Sequence, residues 1–191
     1  MIDITFRSKK QPEKGDLLVS DPFANDLYFS RSVVLLCDHD KSGSFGFVLN
    51  NMLDVKLHDL VPKFPNKETR LALGGPVDKD SIFYIHSFEN ITRSQKICRN
   101  LFFGGDFQAI IDRIKEKPEN NSKIRFFLGY SGWSANQLTE EMKNNAWVVS
   151  DTIDYKDVFL SNDKSLWKKI MAQLGKKFEL MSNFPIDPNN N

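Results

Sequence analysis

One stretch in the second half of the chain constrains the fold most: an apolar run that ends in glycines and aromatic residues. Residues 124–128 are short, apolar and rich in phenylalanine, which predicts a buried strand. Gly129 and Gly132 follow, and glycine permits a tight turn or a close backbone approach. Ser134, with Gln137 three residues later, matches a capping box. We therefore predict a strand, a glycine turn at 129–133 and a helix that begins at Ser134.

Other apolar runs predict further strands, which come in groups with the long helices inserted late. These predicted strands cover residues 17–20, 33–37, 45–50, 71–73, 81–86 and 146–149. Residues 31–50 indicate a hairpin, with Asp38, His39 and Asp40 in its polar loop. Grouped strands are typical of an α+β fold, in contrast to regular alternation of strands and helices.

Helices are predicted from apolar spacing and from capping residues. Asp106 is a good N-cap for a helix with an isoleucine face, and residues 57–60 predict a single helical turn. Asp163 is the predicted N-cap of the last long helix, and Gly175 stands at its C-terminal end. The apolar stripe of that helix is formed by Leu166, Trp167, Ile170, Met171 and Leu174.

Length and composition predict one cytoplasmic domain over residues 1–191, with a polar arm at 1–14 and a flexible tail at 185–191. The formal net charge of +1 gives no overall field to attract nucleic acid or an anionic membrane. Cys37 and Cys98 are the only cysteines, which predicts two reduced thiols. The chain has no apolar run of the length of a signal peptide or a membrane span, so we expect no membrane association.

Ser131 is the candidate nucleophile of a hydrolase. The nucleophile elbow has the pattern G-x-S-x-G, and here Trp133 replaces its last glycine. All histidines precede Ser131, against the order of triad residues in that fold. We therefore expect no catalytic residue, and a hydrolase that combines the glycine turn with residues 38–40 is the alternative.

The sequence also contains residues that could form a metal site or a nucleic-acid surface. The possible metal ligands are Asp38, His39, Asp40 and His86. In an extended segment, however, Asp38 and Asp40 point away from His39. No second His or Cys stands at the spacing of a metal-ligand motif. We expect no metal and no cofactor. A lysine stripe on the last helix could contact nucleic-acid phosphates, although no DNA-binding motif accompanies it. It comprises Lys164, Lys168, Lys169, Lys176 and Lys177.

An ordered set of short blocks resembles the AlgH/YqgE family of bacterial proteins, from about residue 15 to residue 188. No single block is specific, but their order and spacing together are. The blocks are residues 31–36, His39-Asp40, residues 46–50, residues 74–77, residues 129–133 with Gln137-Leu138, and Asp187-Pro188.

The resemblance implies a bifurcated mixed β-sheet that includes a small closed barrel and is surrounded by helices. It also implies a binding or regulatory module, since some members are labelled transcriptional regulators, and it supplies no catalytic residues. We expect a small molecule or a protein as its partner, with direct DNA binding disfavoured. The candidate binding residues are Asp38, His39, Asp40, Asn50, Gly74, Gly75, Gly129, Tyr130, Ser131, Gly132, Trp133 and Gln137.

Overall fold

The computed structural model describes residues 6–24, 26, 28–152, 154–160 and 165–185. Most of the strands come before most of the helices along the chain. All the predicted strands are present, and three short ones (β4, β7 and β8) were not predicted because their side chains are largely half-exposed and carry no clear period. The strands are β1 (Leu17–Ser20), β2 (Val33–Asp40), β3 (Gly43–Val48), β4 (Met52–Lys56), β5 (Arg70–Leu73), β6 (Val77–His86), β7 (Gln95–Cys98), β8 (Leu101–Phe103), β9 (Ile124–Ser134) and β10 (Trp147–Ser150).

The predicted helices are also found. Asp106 caps α2, because its side chain accepts a hydrogen bond from the backbone N–H of Ala109 at 3.1 Å, whereas Asp163 lies outside the described residues. No helix within the described ranges has both the length and the apolar character needed to cross a bilayer. The helices are α1 (Leu57–Leu60), α2 (Phe107–Glu116), α3 (Gln137–Lys143), α4 (Tyr155–Leu160), α5 (Ser165–Gln173) and α6 (Lys176–Met181), with a 3-10 helix at Pro118–Lys123.

Strand β9 is the centre of the sheet and the point where it forks. The strand order is β10-β1-β2-β3-β9-β6-β8-β7, and β5 with its partner β4 branches from β9. The first half of β9 lies between β5, in parallel, and β6, whereas residues 131–134 pair with β3. Phe126 and Phe127 point into different apolar clusters, so both faces of this strand are covered. Burial on both faces explains why the run is continuously apolar.

The small closed barrel implied by the resemblance is wrong for this structure. A barrel closes only when its first and last strands hydrogen-bond to each other. Here β10 pairs with β1 and β7 pairs with β8, so the two ends of the path stay apart within the described residues. Helix α5 packs against the sheet near one of these ends: Trp167 is fully buried, and its Nε1 donates to the carbonyl of Ser20 on β1 at 3.0 Å.

The described part of the N-terminal arm packs onto the rest of the fold. Phe6 is buried and meets Phe178 of α6 edge-to-face, with ring centroids 5.9 Å apart. The Ser8 hydroxyl accepts a hydrogen bond from the backbone N–H of Val149 on β10 at 3.2 Å. That bond satisfies a donor of an edge strand, which would otherwise offer it to another chain.

His86 is a fully buried histidine at the end of β6. Its Nε2 donates to the carbonyl of Gly104 at 2.9 Å, and its Nδ1 accepts from the backbone N–H of Phe88 at 3.2 Å. Its ring stacks between Phe88 and Phe102. Burial lowers the pKa of the imidazole, which is therefore neutral in the folded state at neutral pH.

We expect this histidine to make the protein less stable in mild acid. Above the ordinary pKa of about 6.5 both states are neutral at this residue, and its contribution to stability is fully present. As the pH falls below that value and through the lowered pKa of His86, the unfolded chain takes up a proton that the folded chain resists. Urea melts from pH 7.5 to 5 should show the loss, and His86→Phe should flatten the curve. Equal slopes in the two proteins would contradict the assignment.

Candidate functional site

A cleft of about 600 Å³ opens at the end of the sheet where β2, β3, β6, β8 and β9 come together. This volume lies within the range of small-molecule pockets in proteins, about 300–1,000 Å³. The cleft is open to solvent on one side and combines an aromatic floor with an acidic rim. Its lining residues are Asp38, Asp40, Ser42, Gly43, Ser44, Phe45, Phe47, Val77, Phe83, Phe103, Tyr130, Gly132, Trp133 and Ser134.

The aromatic floor of the cleft consists of Phe45, Phe47, Phe83, Phe103 and Tyr130. Phe45 meets Phe103 at 5.2 Å between ring centroids, and Phe83 meets Tyr130 at 5.5 Å, both edge-to-face. Phe47 is fully buried beneath the others, which are half-buried and leave ring surface open to the cleft. An accessible aromatic surface that the chain does not cover itself is a usual feature of a ligand site.

The acidic rim is formed by Asp38 and Asp40. The predicted position of both residues in a loop is wrong: β2 continues through Asp40, and the turn follows at residues 41–42. Ser42 donates two hydrogen bonds to Asp40, from its hydroxyl and its backbone N–H, and these bonds lower the pKa of the Asp40 carboxyl. The Nζ of Lys14 lies 3.3 Å from a carboxylate oxygen of Asp38.

His39 lies on the opposite face of β2, as the alternation of side chains predicted. It borders a second, smaller depression, which shares Asp40 and Ser44 with the cleft, and its Nδ1 is 2.7 Å from the hydroxyl of Ser44. The three residues 38–40 therefore do not converge on one point. Within the described residues no group of three His, Cys, Asp or Glu side chains is placed to hold a metal ion.

The glycine turn predicted at 129–133 is wrong, because β9 runs without interruption to Ser134. Gly129 has a φ of +64°, and the register between β6 and β9 shifts beside it, so it forms an irregularity within the strand. Gly132 does not have a positive φ, and it pairs with Phe45 of β3. The pairing with β3 holds the strand together where the glycines alone favour a turn.

Four of the candidate residues do not line the cleft and make contacts within the fold: Asn50, Gly74, Gly75 and Ser131. Ser131 is fully buried and its hydroxyl donates to the carbonyl of Gly74 at 2.9 Å. Gly75 lies against the backbone of β9. The side chain of Asn50 accepts from the backbone N–H of Val33 and donates to the carbonyl of Arg31, both at 2.8 Å. These bonds join neighbouring segments and present no group to the cleft.

Trp133 and Gln137 belong to a network that attaches α3 to the sheet. Glu141 of α3 accepts hydrogen bonds from the indole N–H groups of Trp133, at 2.8 Å, and of Trp147, at 2.7 Å. Gln137 donates to the other carboxylate oxygen of Glu141. It also accepts from the backbone N–H of Ser134, which is half of the predicted capping box. The helix itself begins at Gln137, so the predicted N-cap at Ser134 is wrong.

Most of the aromatic floor is absent from the residues predicted as a site. The signal was present in part, since Phe45 and Phe47 are two residues apart in a predicted strand and therefore share a face. Phe83 lies in another predicted strand, whereas Phe103 lies in β8, which was not predicted. Of the twelve candidate residues, the cleft contains Asp38, Asp40, Tyr130, Gly132 and Trp133.

Both cysteines are free thiols, as predicted. Cys37 is buried in the core, and Cys98 is half-buried. Burial raises the pKa of each thiol, so both are protonated and unreactive at neutral pH.

Known proteins resemble this chain both in sequence and in fold. A UPF0301 protein of Bacteroides fragilis is 40% identical over 94% of this chain and 92% of its own. A UPF0301 protein of Cytophaga hutchinsonii is 38% identical over 92% and 97%. Protein DIP2367 from Corynebacterium diphtheriae has a similar structure, with a TM-score of 0.78 and 25% identity over 93% of this chain and 95% of that one.

The AlgH protein from Pseudomonas aeruginosa shares the fold, with a TM-score of 0.71 and 24% identity over 92% of this chain and 98% of that one. The AlgH-like family matches residues 17–179, a range that includes the whole sheet and all the residues of the cleft. The resemblance noted in the sequence is therefore confirmed, and the chain belongs to the AlgH-like family of bacterial proteins.

Proposed function

We propose that this protein is a cytoplasmic binding module that takes a small molecule in the aromatic cleft and has a regulatory role through that binding. The observation that carries the proposal is the set of half-buried rings, Phe45, Phe83, Phe103 and Tyr130, around a volume of about 600 Å³. Burying such rings against a ligand contributes favourable free energy of about 25 cal/mol per Å² of apolar surface removed from water. The aromatic floor supplies affinity, and the polar groups at its rim supply orientation.

The geometry favours binding over hydrolysis. A nucleophilic serine must present its hydroxyl to the substrate and to a general base. Ser131 instead faces inward and donates its proton to the carbonyl of Gly74. His39 borders the depression on the other face of β2.

The lysine stripe gives little support to direct DNA binding. Its first member, Lys164, lies outside the described residues. Lys169 makes an ion pair with Asp157 at 2.6 Å, and Lys176 makes one with Glu179 at 3.3 Å. These carboxylates reduce the charge that the helices could offer to a phosphate backbone. The regulatory role that we propose therefore depends on ligand binding in the cleft.

Thermal-shift measurements on aromatic compounds of every charge test the proposal. A compound at one hundred times its dissociation constant adds about 2.7 kcal/mol, which raises Tm by roughly 5–10 °C in a chain of this size. Gly132→Leu should abolish the shift, because the new side chain would project beside the ring of Tyr130 into the cleft. Lys115→Leu, which adds the same side chain on the exposed face of α2, should keep it.

Two outcomes would contradict the proposal. One is a compound set in which nothing shifts the wild-type protein. The other is a shift of equal size in wild type and in Gly132→Leu, because the compound would then bind outside the cleft.

A further inference from the structure

The charged residues at the rim of the cleft indicate the charge of the ligand that it would bind. We propose that the ligand is a small organic cation: an aromatic or other apolar body that bears an ammonium or guanidinium group. The body would lie on the aromatic floor and the cation beside Asp38 and Asp40. This inference rests on the proposed function, because it names the kind of molecule that the same cleft takes.

The first support is the sign of the charges that line the cleft. Every charged residue in its lining is an aspartate. The hydrogen bonds from Ser42 hold Asp40 in its ionised form, because they lower the pKa of its carboxyl. Asp38 has 45% of its side chain exposed and can reach a solute in the cleft. An anion in the same place would face two carboxylates and would be repelled.

The second support is that the rim already holds an ammonium group. The Nζ of Lys14 lies 3.3 Å from Asp38, and both side chains are partly exposed. Exposed ion pairs of this kind contribute about 0–1 kcal/mol, so a ligand can displace Lys14 at little cost. Lys14 thus acts as an internal competitor for the position that the cation of the ligand would occupy.

The third support is the floor beneath the rim. An ammonium or guanidinium group over the face of an aromatic ring is attracted by the electrons of the ring, and the attraction is stronger where water is excluded. Phe45, Phe83 and Tyr130 lie within the same cleft as the two carboxylates. Aromatic rings and carboxylates together form a favourable environment for an organic cation, because both attract its charge.

The test compares three probes of nearly the same size: phenethylammonium, phenethyl alcohol and hydrocinnamate. Titration into ¹⁵N-labelled protein gives a dissociation constant for each probe, and the amide signals of Gly132 and Ser134 locate it in the cleft. We expect phenethylammonium to bind on the order of tenfold more tightly than the alcohol, with hydrocinnamate weakest. The difference should shrink in 1 M NaCl, because salt screens exposed charges.

Charge-neutral variants show whether the aspartates are responsible. Asn at position 40 retains an oxygen that accepts from Ser42, so Asp38→Asn/Asp40→Asn removes charge and leaves the hairpin turn its hydrogen bonds. In this double variant the cation should lose most of its advantage over the alcohol, and the small remainder is the attraction of the aromatic floor. Asp54→Asn, at a fully exposed carboxylate on β4, is the matched control and should keep the preference. Lys14→Gln should strengthen cation binding about twofold and leave the alcohol unchanged.

The outcomes separate this inference from the proposed function. Equal affinity of the wild-type protein for the cation and the alcohol, or a preference that stays at full size in Asp38→Asn/Asp40→Asn, would overturn the inference and leave the cleft as a binding site. If none of the three probes moved the signals of Gly132 and Ser134 at millimolar concentration, the cleft would bind neither the ring nor the charge. That result would overturn the proposed function together with the inference.

Discussion

Gly75→Ala should lower the free energy of unfolding by about 2–6 kcal/mol, as the sum of backbone strain and overpacking. The added Cβ would lie within 3.0 Å of the backbone of Tyr130 and of Ser131, and backbone atoms cannot rotate away. The φ of Gly75, +154°, is also one that L side chains rarely adopt. The contact joins the segment between β5 and β6 to the middle of β9, so the damage would reach the centre of the sheet. Urea denaturation measures the loss.

Gly104→Ala is the matched control for this prediction. Gly104 has a φ of +65°, and a Cβ built on it would meet nothing within 4 Å. Its substitution tests the conformational cost alone, about 1–2 kcal/mol for a residue forced into the left-handed region. The excess loss in Gly75→Ala is the cost of the clash with β9. If Gly75→Ala and Gly104→Ala lowered the free energy of unfolding by the same amount, the close approach of Gly75 to β9 would be refuted.

These glycines also show what sequence reasoning can and cannot predict. Gly129 correctly indicated a positive φ and a close backbone approach: its φ is +64°, and an added Cβ would lie within 3.0 Å of the carbonyls of Gly75 and Val77. The local sequence does not say whether such a neighbour is a ligand or the chain itself. At Gly74 and Gly75 the neighbour is also the chain itself, in β9.

The strands of the sheet were predictable, and their long-range pairing was not. Residues 17–20 and 33–37 carry their own apolar signal and need no partner to be recognised. By contrast, Gly129 and Gly132 weaken the strand signal of residues 129–134, and pairing with β3, and with β6 at Tyr130, keeps this segment extended. The cleft exists because β9 continues past Gly129, which brings Tyr130 and Gly132 beside the aspartates of β2. Phe103 could not be included, since β8 reaches the cleft through its pairing with β6.

Trp133→Ala should destabilise the fold by about 3–5 kcal/mol, the usual cost of truncating a buried tryptophan. Trp133 is only 5% exposed, and its ring contacts Phe29 and Trp147 in the apolar cluster between the sheet and α3. The variant would leave a cavity there and remove the hydrogen bond to Glu141, which joins β9 to α3. A thermal or urea melt of the purified variant against wild type measures the effect.

Two milder variants separate the cavity from the hydrogen bond. Trp133→Phe keeps one six-membered ring and loses the indole N–H with the rest of the bicycle, so it should cost about 1–3 kcal/mol, because Glu141 still accepts from Trp147. Glu141→Gln keeps an oxygen acceptor and should cost less than Trp133→Ala. If Trp133→Ala instead kept the melting temperature of wild type and lost only binding of phenethylammonium, Trp133 would be a wall of the ligand site and not part of the core. We expect the opposite result: Trp133→Ala should lose stability, and Trp133→Phe should still bind phenethylammonium. The reason is that the ring of Trp133 is buried among other rings and only its edge reaches the cleft.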